Sequence, residues 1–315
     1  MRLVITGVSG YIGTLLAERL SREVAVAAMT GLDARPLAAP IAKLAFTRAD
    51  VRTDDLAPHF AGVDVAVHLA FIVKEIRDKR LTYDINVGGT RRVLEACRAA
   101  RVRKLVLASS VAAYGAVPGK PVLTEATPLR GDPQSYYGHT KRLVEEMLDG
   151  FERENPRMIV TRLRPSILCG SRTGSFLTAL TSQRALLHVR GNDAGLPLVH
   201  EDDVVDAFCR VILADHPGSF NLHAGCLPPG TAARMLGVPS IGVPYLVARV
   251  LSDLAFRCGA LPFSGHWVTL GRYPMEISTD KARTELGWRP TRTPEEAFAE
   301  MLATLRPGHA GGRNG

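Results

Sequence analysis

The order of apolar and polar positions divides the chain into two parts. Through the first two thirds, short β-branched or aliphatic runs alternate with stretches whose apolar residues recur every three or four positions. Leu3-Val4-Ile5 predicts a buried strand and Tyr11 to Leu20 a helix. A second strand is expected to end near Leu32, a third to cover Leu44–Phe46 and a fourth Val63–Leu69. The pattern then predicts a helix over 81–100, a strand at Lys104–Ala108, a helix from about Ser135 to Phe151 and a sixth strand at Met158–Leu163. Strands separated by helical patterns imply right-handed crossovers, and so a doubly wound parallel sheet of the Rossmann type in the α/β class.

The last third is less regular. Pro, Gly and loop residues cluster around 215–245, Tyr245–Phe256 is apolar at helical spacing, and Pro290 and Pro294 bracket a turn before a final helix at about 295–305. This pattern predicts a smaller C-terminal α/β substrate lobe over the strand ends. Residues 1–165, joined by about 196–222, are expected to form the dinucleotide-binding body. Residues 166–195 and 223–306 are expected to form the lobe, and 307–315 a mobile tail. Packing of the lobe is the expected role of Tyr245–Phe256 and Ala260–Phe263, with the wall of a hydrophobic pocket as the alternative.

Composition narrows the class without naming a chemistry. Hydrophobic residues make up 46% and charged residues 22%, which excludes a disordered or fibrous chain. No apolar run reaches the roughly 18–20 residues that cross a bilayer, and no signal-peptide pattern precedes the first strand, so a cytoplasmic protein with no membrane partner is expected. The five cysteines are scattered without a C-x-x-C pair, which fits neither a disulfide framework nor a zinc site. The net charge is +8, yet only seven of the 39 basic residues are lysines and the arginines are spread along the chain. Nucleic-acid sites concentrate basic charge and interleave aromatics; neither feature is present, so no nucleic-acid partner is expected.

The first candidate chemistry lies at the first strand–helix junction, Thr6-Gly7-Val8-Ser9-Gly10-Tyr11-Ile12-Gly13. Glycines spaced G-x-x-G-x-x-G there permit a tight turn, close approach of a diphosphate and close helix–strand contact, while the helix N-terminus offers amides to the phosphates. Asp33 follows Gly13 by 20 residues, where an acid hydrogen-bonds the adenosine ribose and favours NAD. Arg35 could instead meet a 2′-phosphate, which leaves NADP open. Asp50-Val51, after the third strand, is placed to touch adenine, or else is a solvated turn.

A second constellation follows. In Tyr136-Tyr137-Gly138-His139-Thr140-Lys141, Tyr137 and Lys141 share a helix face, whereas Tyr136 is matched by Thr140. A phenol ordinarily titrates near about 10. A neighbouring ammonium favours its phenolate and brings it into range for acid–base work, and Lys141 can also hold the nicotinamide ribose. The fifth strand ends in Ser109-Ser110, placing hydroxyls at the carboxyl end of the sheet where a reacting oxygen could be held. His200-Glu201-Asp202-Asp203 reads as an acidic helix N-terminus rather than a metal cluster, because consecutive residues cannot all face one ion. His139 faces away from Tyr137, and Cys169 is expected in the core.

With these motifs in order, the chain resembles an extended short-chain dehydrogenase/reductase of the NAD-dependent epimerase/dehydratase superfamily. The matching pieces are Thr6–Gly13, Asp50-Val51, His68-Leu69-Ala70, Asn86–Thr90, Ser109–Gly115, Tyr137–Lys141, Leu163-Arg164-Pro165, Val199–Asp203, Phe220-Asn221 and Thr279–Pro290. The resemblance implies catalytic roles for Ser110, Tyr137 and Lys141. It places Leu69, Ala70, Ser109, Pro165 and Ser166 beside the cofactor and gives Asn86 a supporting role. It also implies a possible homodimer through the helices at 81–100 and 135–151. Two family features of sugar-nucleotide enzymes are missing. Ser166 stands where an Asn is usual, and Leu196 where an Arg holds the diphosphate; Arg172, Arg184 and Arg190 are possible but weak substitutes. The Arg164-Pro165-Ser166 run is more like the branch of hydroxysteroid dehydrogenases and ketone or aldehyde reductases. The first reading is therefore an NAD(P)-dependent oxidoreductase acting on a secondary alcohol or ketone as its small-molecule substrate. A nucleotide-sugar epimerase or dehydratase with the same apparatus is the alternative, and a non-catalytic dinucleotide sensor a third.

Overall fold

The computed structural model describes residues 1–119, 121–131, 136–172, 176–259, 261 and 264–305. The first half runs β1 (Arg2–Thr6), α1 (Tyr11–Leu20), β2 (Ala28–Asp33), β3 (Leu44–Arg48), α2 (Ala57–Phe60), β4 (Val65–His68), α3 (Lys79–Tyr83), a π-helical turn (Asp84–Gly89), α4 (Thr90–Ala99) and β5 (Lys104–Ala108). A 3₁₀ turn (Val111–Tyr114), β6 (Val122–Leu123), α5 (Tyr136–Glu154), β7 (Ile159–Pro165), β8 (Ile167–Cys169), α6 (Phe176–Leu180), β9 (Leu186–Val189) and β10 (Leu196–His200) follow. The remainder is α7 (Glu201–Leu213), β11 (Gly218–Leu222), β12 (Gly225–Leu227), α8 (Pro229–Leu236), β13 (Ser240–Val243), α9 (Tyr245–Arg257), α10 (Gly265–Leu270), β14 (Glu276–Ile277), α11 (Asp280–Glu285) and α12 (Pro294–Leu305).

Seven strands form one parallel sheet in the order β11-β7-β5-β4-β1-β2-β3. Its central strands β1, β4, β5 and β7 are buried on both faces, as the continuous apolar runs require, whereas the edge strand β3 is only half-buried. Period-two alternation sends Leu3 and Ile5 to the side of Leu16, Leu20 and Phe208, and Val4 to the side of Val93, Leu94 and Val144. The strand order reverses between β1 and β4, which opens a crevice at their carboxyl ends.

The rest builds smaller sheets: β12-β10-β8, the parallel pair β13–β9, and β14–β6. Their own core gathers Leu177, Leu198, Leu227, Leu236, Phe298 and Met301. Of the stretch 196–222, β11 completes the large sheet, whereas β10 joins the three-stranded one.

Two expectations differ in detail. The helix over 81–100 runs through α3, a π turn and α4 rather than as one regular α-helix, and at the end of the π turn it passes hard against the loop after β3, where a Cβ on Gly89 would lie 2.6 Å from a methyl of Val51. The widened turn also aims Asn86 at the loop after β4. The second difference is α9, which forms where expected but turns its aliphatic residues outward instead of packing them. Ser135, the tail 307–315 and most of Ala260–Phe263 lie outside the described residues.

Candidate active site

The glycine loop follows β1 and sits at the crevice. Gly7 has φ +76°, and a Cβ there would meet the Ala70 backbone nitrogen at 2.5 Å, so this backbone approach to Leu69-Ala70 admits only glycine. Gly13 likewise has its absent Cβ against the Gly7 carbonyl. Gly10, the residue before α1, gives the helix no side-chain acceptor, and no acid stands in the first turn that continues through Tyr11 and Ile12. An uncapped helix N-terminus in a glycine cradle fits the diphosphate of a dinucleotide.

Asp33 ends β2 beside this loop. Its carboxylate accepts from the Ser9 amide at 3.1 Å and the Arg35 amide at 2.9 Å, and the Ser9 hydroxyl donates to the Arg35 carbonyl. The Arg35 side chain is largely exposed, 3.6 Å from Asp33. Asp50 is engaged otherwise: Arg52 grips its carboxylate at 2.6 Å and holds its pKa below the ordinary value, while Val51 is core.

The candidate catalytic side chains converge at the C-terminal end of β5 and the N-terminal end of α5. Ser110 caps the 3₁₀ turn by accepting from the Ala112 amide at 3.1 Å, and its hydroxyl lies 3.4 Å from the Pro165 carbonyl. Burial pushes the Tyr137 phenol above its ordinary value, while a hydrogen bond with Ser110 favours the phenolate. The Lys141 ammonium donates to the Ala108 carbonyl at 2.6 Å and lies 5.8 Å from the Tyr137 ring centre. Burial pulls Lys141 down to about 7, with Glu145 opposing the fall. Burial outweighs that Ser110 hydrogen bond, so the phenol is raised where a lowering by Lys141 was expected, because a closed, dehydrated site disfavours phenolate and ammonium alike. Tyr136 is turned away, donating to the Lys79 carbonyl, and Thr140 bonds back to the Tyr136 carbonyl.

Two aromatic rings from outside the motifs, with residues that support them, complete the site. Trp267 stacks on the Tyr137 ring at 5.8 Å and 12°, and Phe71 meets it edge-on at 5.9 Å and 85°. Lys141 lies 3.5 Å from the Phe71 ring centre. Asn86, fully buried, accepts from the Ile72 amide at 2.7 Å and donates to its carbonyl, fixing the loop that carries Phe71. Beneath the site, Glu145 accepts from Ser109 at 2.5 Å and pairs with Arg164 at 2.7 and 2.9 Å; Arg164 also donates to Tyr114. Ser109 thus points into this network, while Ser166 lies 3.3 Å from His223, whose imidazole burial drives down to about 4. His68 bridges Thr6 and Thr90, and burial followed by the charge of Lys141 drives it to about 3. Glu145 did have a signal, since it continues the Tyr137–Lys141 face at four-residue spacing. Phe71 and Trp267 had none, being brought together across almost two hundred residues.

Glu201 opens α7, with Asp202 and Asp203 beside it in the first turn and His200 as the capping residue. It accepts from Tyr11, from the Arg172 amide and from Ser171, and burial raises it to about 7. Arg172 pairs with Glu18 of α1, so both contacts tie the 170–172 turn to the glycine-loop helix. Cys169 is core, its thiol pushed up to about 12 by burial.

Fold and loop together define a dinucleotide-binding doubly wound α/β protein with a Ser–Tyr–Lys cluster at its sheet ends. Residues 3–222 match the model of the NAD dependent epimerase/dehydratase family, and the chain belongs to that family of NAD-dependent enzymes. It is 31% identical to a UDP-glucose 4-epimerase of Yersinia pestis over 262 residues, covering 77% of this chain and 73% of the relative. It is also 31% identical to a 3-diazoavenalumate denitrifying reductase of a Streptomyces species over 245 residues, 72% of this chain and 76% of the relative. MoeE5 in complex with UDP-glucuronic acid and NAD shares the fold, with a TM-score of 0.77 over 98% of this chain and 99% of that one at 21% identity. The family name and the epimerase relative match the epimerase/dehydratase alternative and the reductase relative the net redox reading, while the MoeE5 likeness shows the fold.

Proposed function

We propose that this enzyme transfers a hydride between NAD and a secondary alcohol or ketone, with Tyr137 as the acid–base group. The observation that carries the reading is the convergence of Tyr137, Ser110 and Lys141 at the carboxyl edge of the parallel sheet, within reach of the glycine cradle. Gly7, Ser9, Gly10, Tyr11, Ile12 and Gly13 would hold the diphosphate. Asp33 would take the adenosine ribose and Lys141 the nicotinamide ribose, with Leu69, Ala70, Pro165 and Ser166 alongside. NAD, when bound, supplies the hydride acceptor and donor.

The protein's part is proton management. Ser110 holds the substrate oxygen, and Tyr137 takes the hydroxyl proton in the oxidative direction and returns it in reduction. Lys141, poised near neutrality, favours the phenolate whenever it carries its proton. The pocket beside Tyr137 is walled by Ile72, Val73, Ile76 and Trp267, with Phe71 against the Tyr137 ring; Lys74, Thr82, Tyr136 and the Glu75–Lys79 pair, closed at 2.7 Å, complete the lining. This lining favours a small or moderately apolar alcohol or ketone.

A second reading, epimerisation or dehydration of a nucleotide sugar, is favoured by the named epimerase relative. Against it stand Leu196 and Ser166, which bring no guanidinium or amide to the expected positions. A panel of ketones, alcohols and nucleotide sugars, followed by nicotinamide absorbance and product identity, separates the two. Net cofactor turnover supports the first; isomerised product without turnover replaces it with the second. Tyr137→Phe is expected to lower kcat by about 10²–10⁴-fold while leaving NAD affinity in place. Unchanged turnover would remove Tyr137 from the chemistry.

A further inference from the structure

Helix α9 is built inside out. Its 13 residues place Leu246, Val247, Val250, Leu251 and Leu254 on one face, and all five are between 47 and 69% exposed. The opposite face, which meets α10, is the more polar one. There Asp253 accepts from the Gly265 amide at 2.8 Å, and Tyr245 bonds with Thr269 at 3.0 Å. An exposed row of aliphatics of this length on a water-soluble fold marks a surface that something else covers. Leu187 and Ile241, register partners on β9 and β13, add two more exposed aliphatics just ahead of the helix.

The surroundings of this row are basic. Arg257 ends its exposed face, and the Arg77 guanidinium donates to the Arg257 carbonyl at 3.1 Å. Arg272 lies over the Tyr245 ring at the other end, 4.5 Å from its centre, and Arg190 donates to the Gly242 carbonyl beside the strand that leads into α9. The single acid of the helix, Asp253, is turned inward.

We propose that α9 is a docking surface for an anionic phospholipid bilayer, lying in the plane of the interface with its aliphatic row among the acyl chains and its arginines at the headgroups. Thirteen residues span about 20 Å, too short to cross a hydrocarbon core of about 30 Å but suited to lie along it. Each basic residue near such a surface gains from its negative potential. A second copy of the chain fits less well. The five side chains of this row are far fewer than the roughly 20–30 residues a side of a stable interface. Two-fold pairing through α9 would also bring the arginines of one copy toward those of the other. Because α9 packs on α10, which carries Trp267, the docked face would stand one helix from the wall beside Tyr137.

The test uses the full chain and vesicles of phosphatidylcholine alone or with phosphatidylglycerol, separated by flotation. Wild type is expected to float with the anionic vesicles and little with the neutral ones, and to be released by high salt. Leu246→Gln/Val250→Gln/Leu254→Gln is expected to weaken binding by at least about tenfold, with an unchanged thermal midpoint because these side chains are exposed. Arg77→Glu/Arg257→Glu is expected to weaken it as well. No binding of wild type to anionic vesicles overturns the proposal, as does equal binding by the aliphatic variant. A wild-type dimer that the aliphatic variant splits, without vesicle binding, also overturns it and makes the face a subunit interface.

Discussion

Arg164→Met tests whether the buried ion network beneath the site holds its geometry. Arg164 is 4% exposed and Glu145 fully buried, and the two meet through paired contacts at 2.7 and 2.9 Å. Methionine fills the aliphatic space but leaves Glu145 with Ser109 at 2.5 Å and Arg162 at 3.2 Å. Removing one partner of a buried pair costs about 3–5 kcal/mol, and the residual contact to Arg162 places the expected loss near the lower figure. For 315 residues the entropy of unfolding is about 0.66 kcal/mol/K, so the thermal midpoint should fall by about 4–5 °C. The pH dependence carries a sign. In wild type the Arg164 guanidinium holds the Glu145 pKa below its ordinary value, so the pair contributes stability that is lost as pH falls through the carboxylate range. In the variant, burial acts with far less opposition and Glu145 takes up a proton more readily. The gap between variant and wild type should therefore narrow from pH 8 to pH 5. Scanning calorimetry at both values reads the effect. Adding Glu145→Leu should recover at least half of the loss, since it removes the stranded charge. A midpoint within a degree of wild type at pH 8, or a double variant no better than the single one, would refute the reasoning.

Two further outcomes follow from the site. Asp33→Ala removes the only carboxylate at the end of β2 and should weaken NAD binding by about tenfold while improving NADP relative to NAD, read by calorimetric titration; an unchanged preference contradicts the ribose assignment. Glu201, raised to about 7 by burial, contributes stability below the ordinary carboxylate pKa that is lost as pH rises through about 7. Glu201→Gln mimics the protonated acid, so its thermal midpoint should gain on wild type as pH goes from 5 to 8; a pH-independent difference would show that Glu201 is ionised throughout.

Much of the architecture was legible along the chain because its signals are local. A parallel strand buried on both faces must be apolar throughout, as Leu3-Val4-Ile5 is, and α1 follows from a repeat of three and four. The glycine loop was legible because Gly7 and Gly13 stand where backbone approaches backbone. The Tyr137–Lys141 face needed only the pitch of a helix. The π turn at Asp84–Gly89 was not legible, because the chain it packs against there, Val51 of the loop after β3, is distant in sequence.

The doubly wound sheet, the glycine loop and the candidate Ser–Tyr–Lys set are each carried by residues a few positions apart, and so could be read along the chain. Only the tertiary structure decided what surrounds them. It pressed Trp267 and Phe71 against Tyr137, set Arg164 on Glu145, and gave Lys141 a burial that brings its ammonium near neutrality. It also turned the aliphatic face of α9 outward, where helical periodicity alone points equally to a core. The physical reason is one of range. Propensity and periodicity act within a turn or a strand, whereas desolvation, ring stacking and the direction of an apolar face are properties of whatever long-range partner the fold supplies.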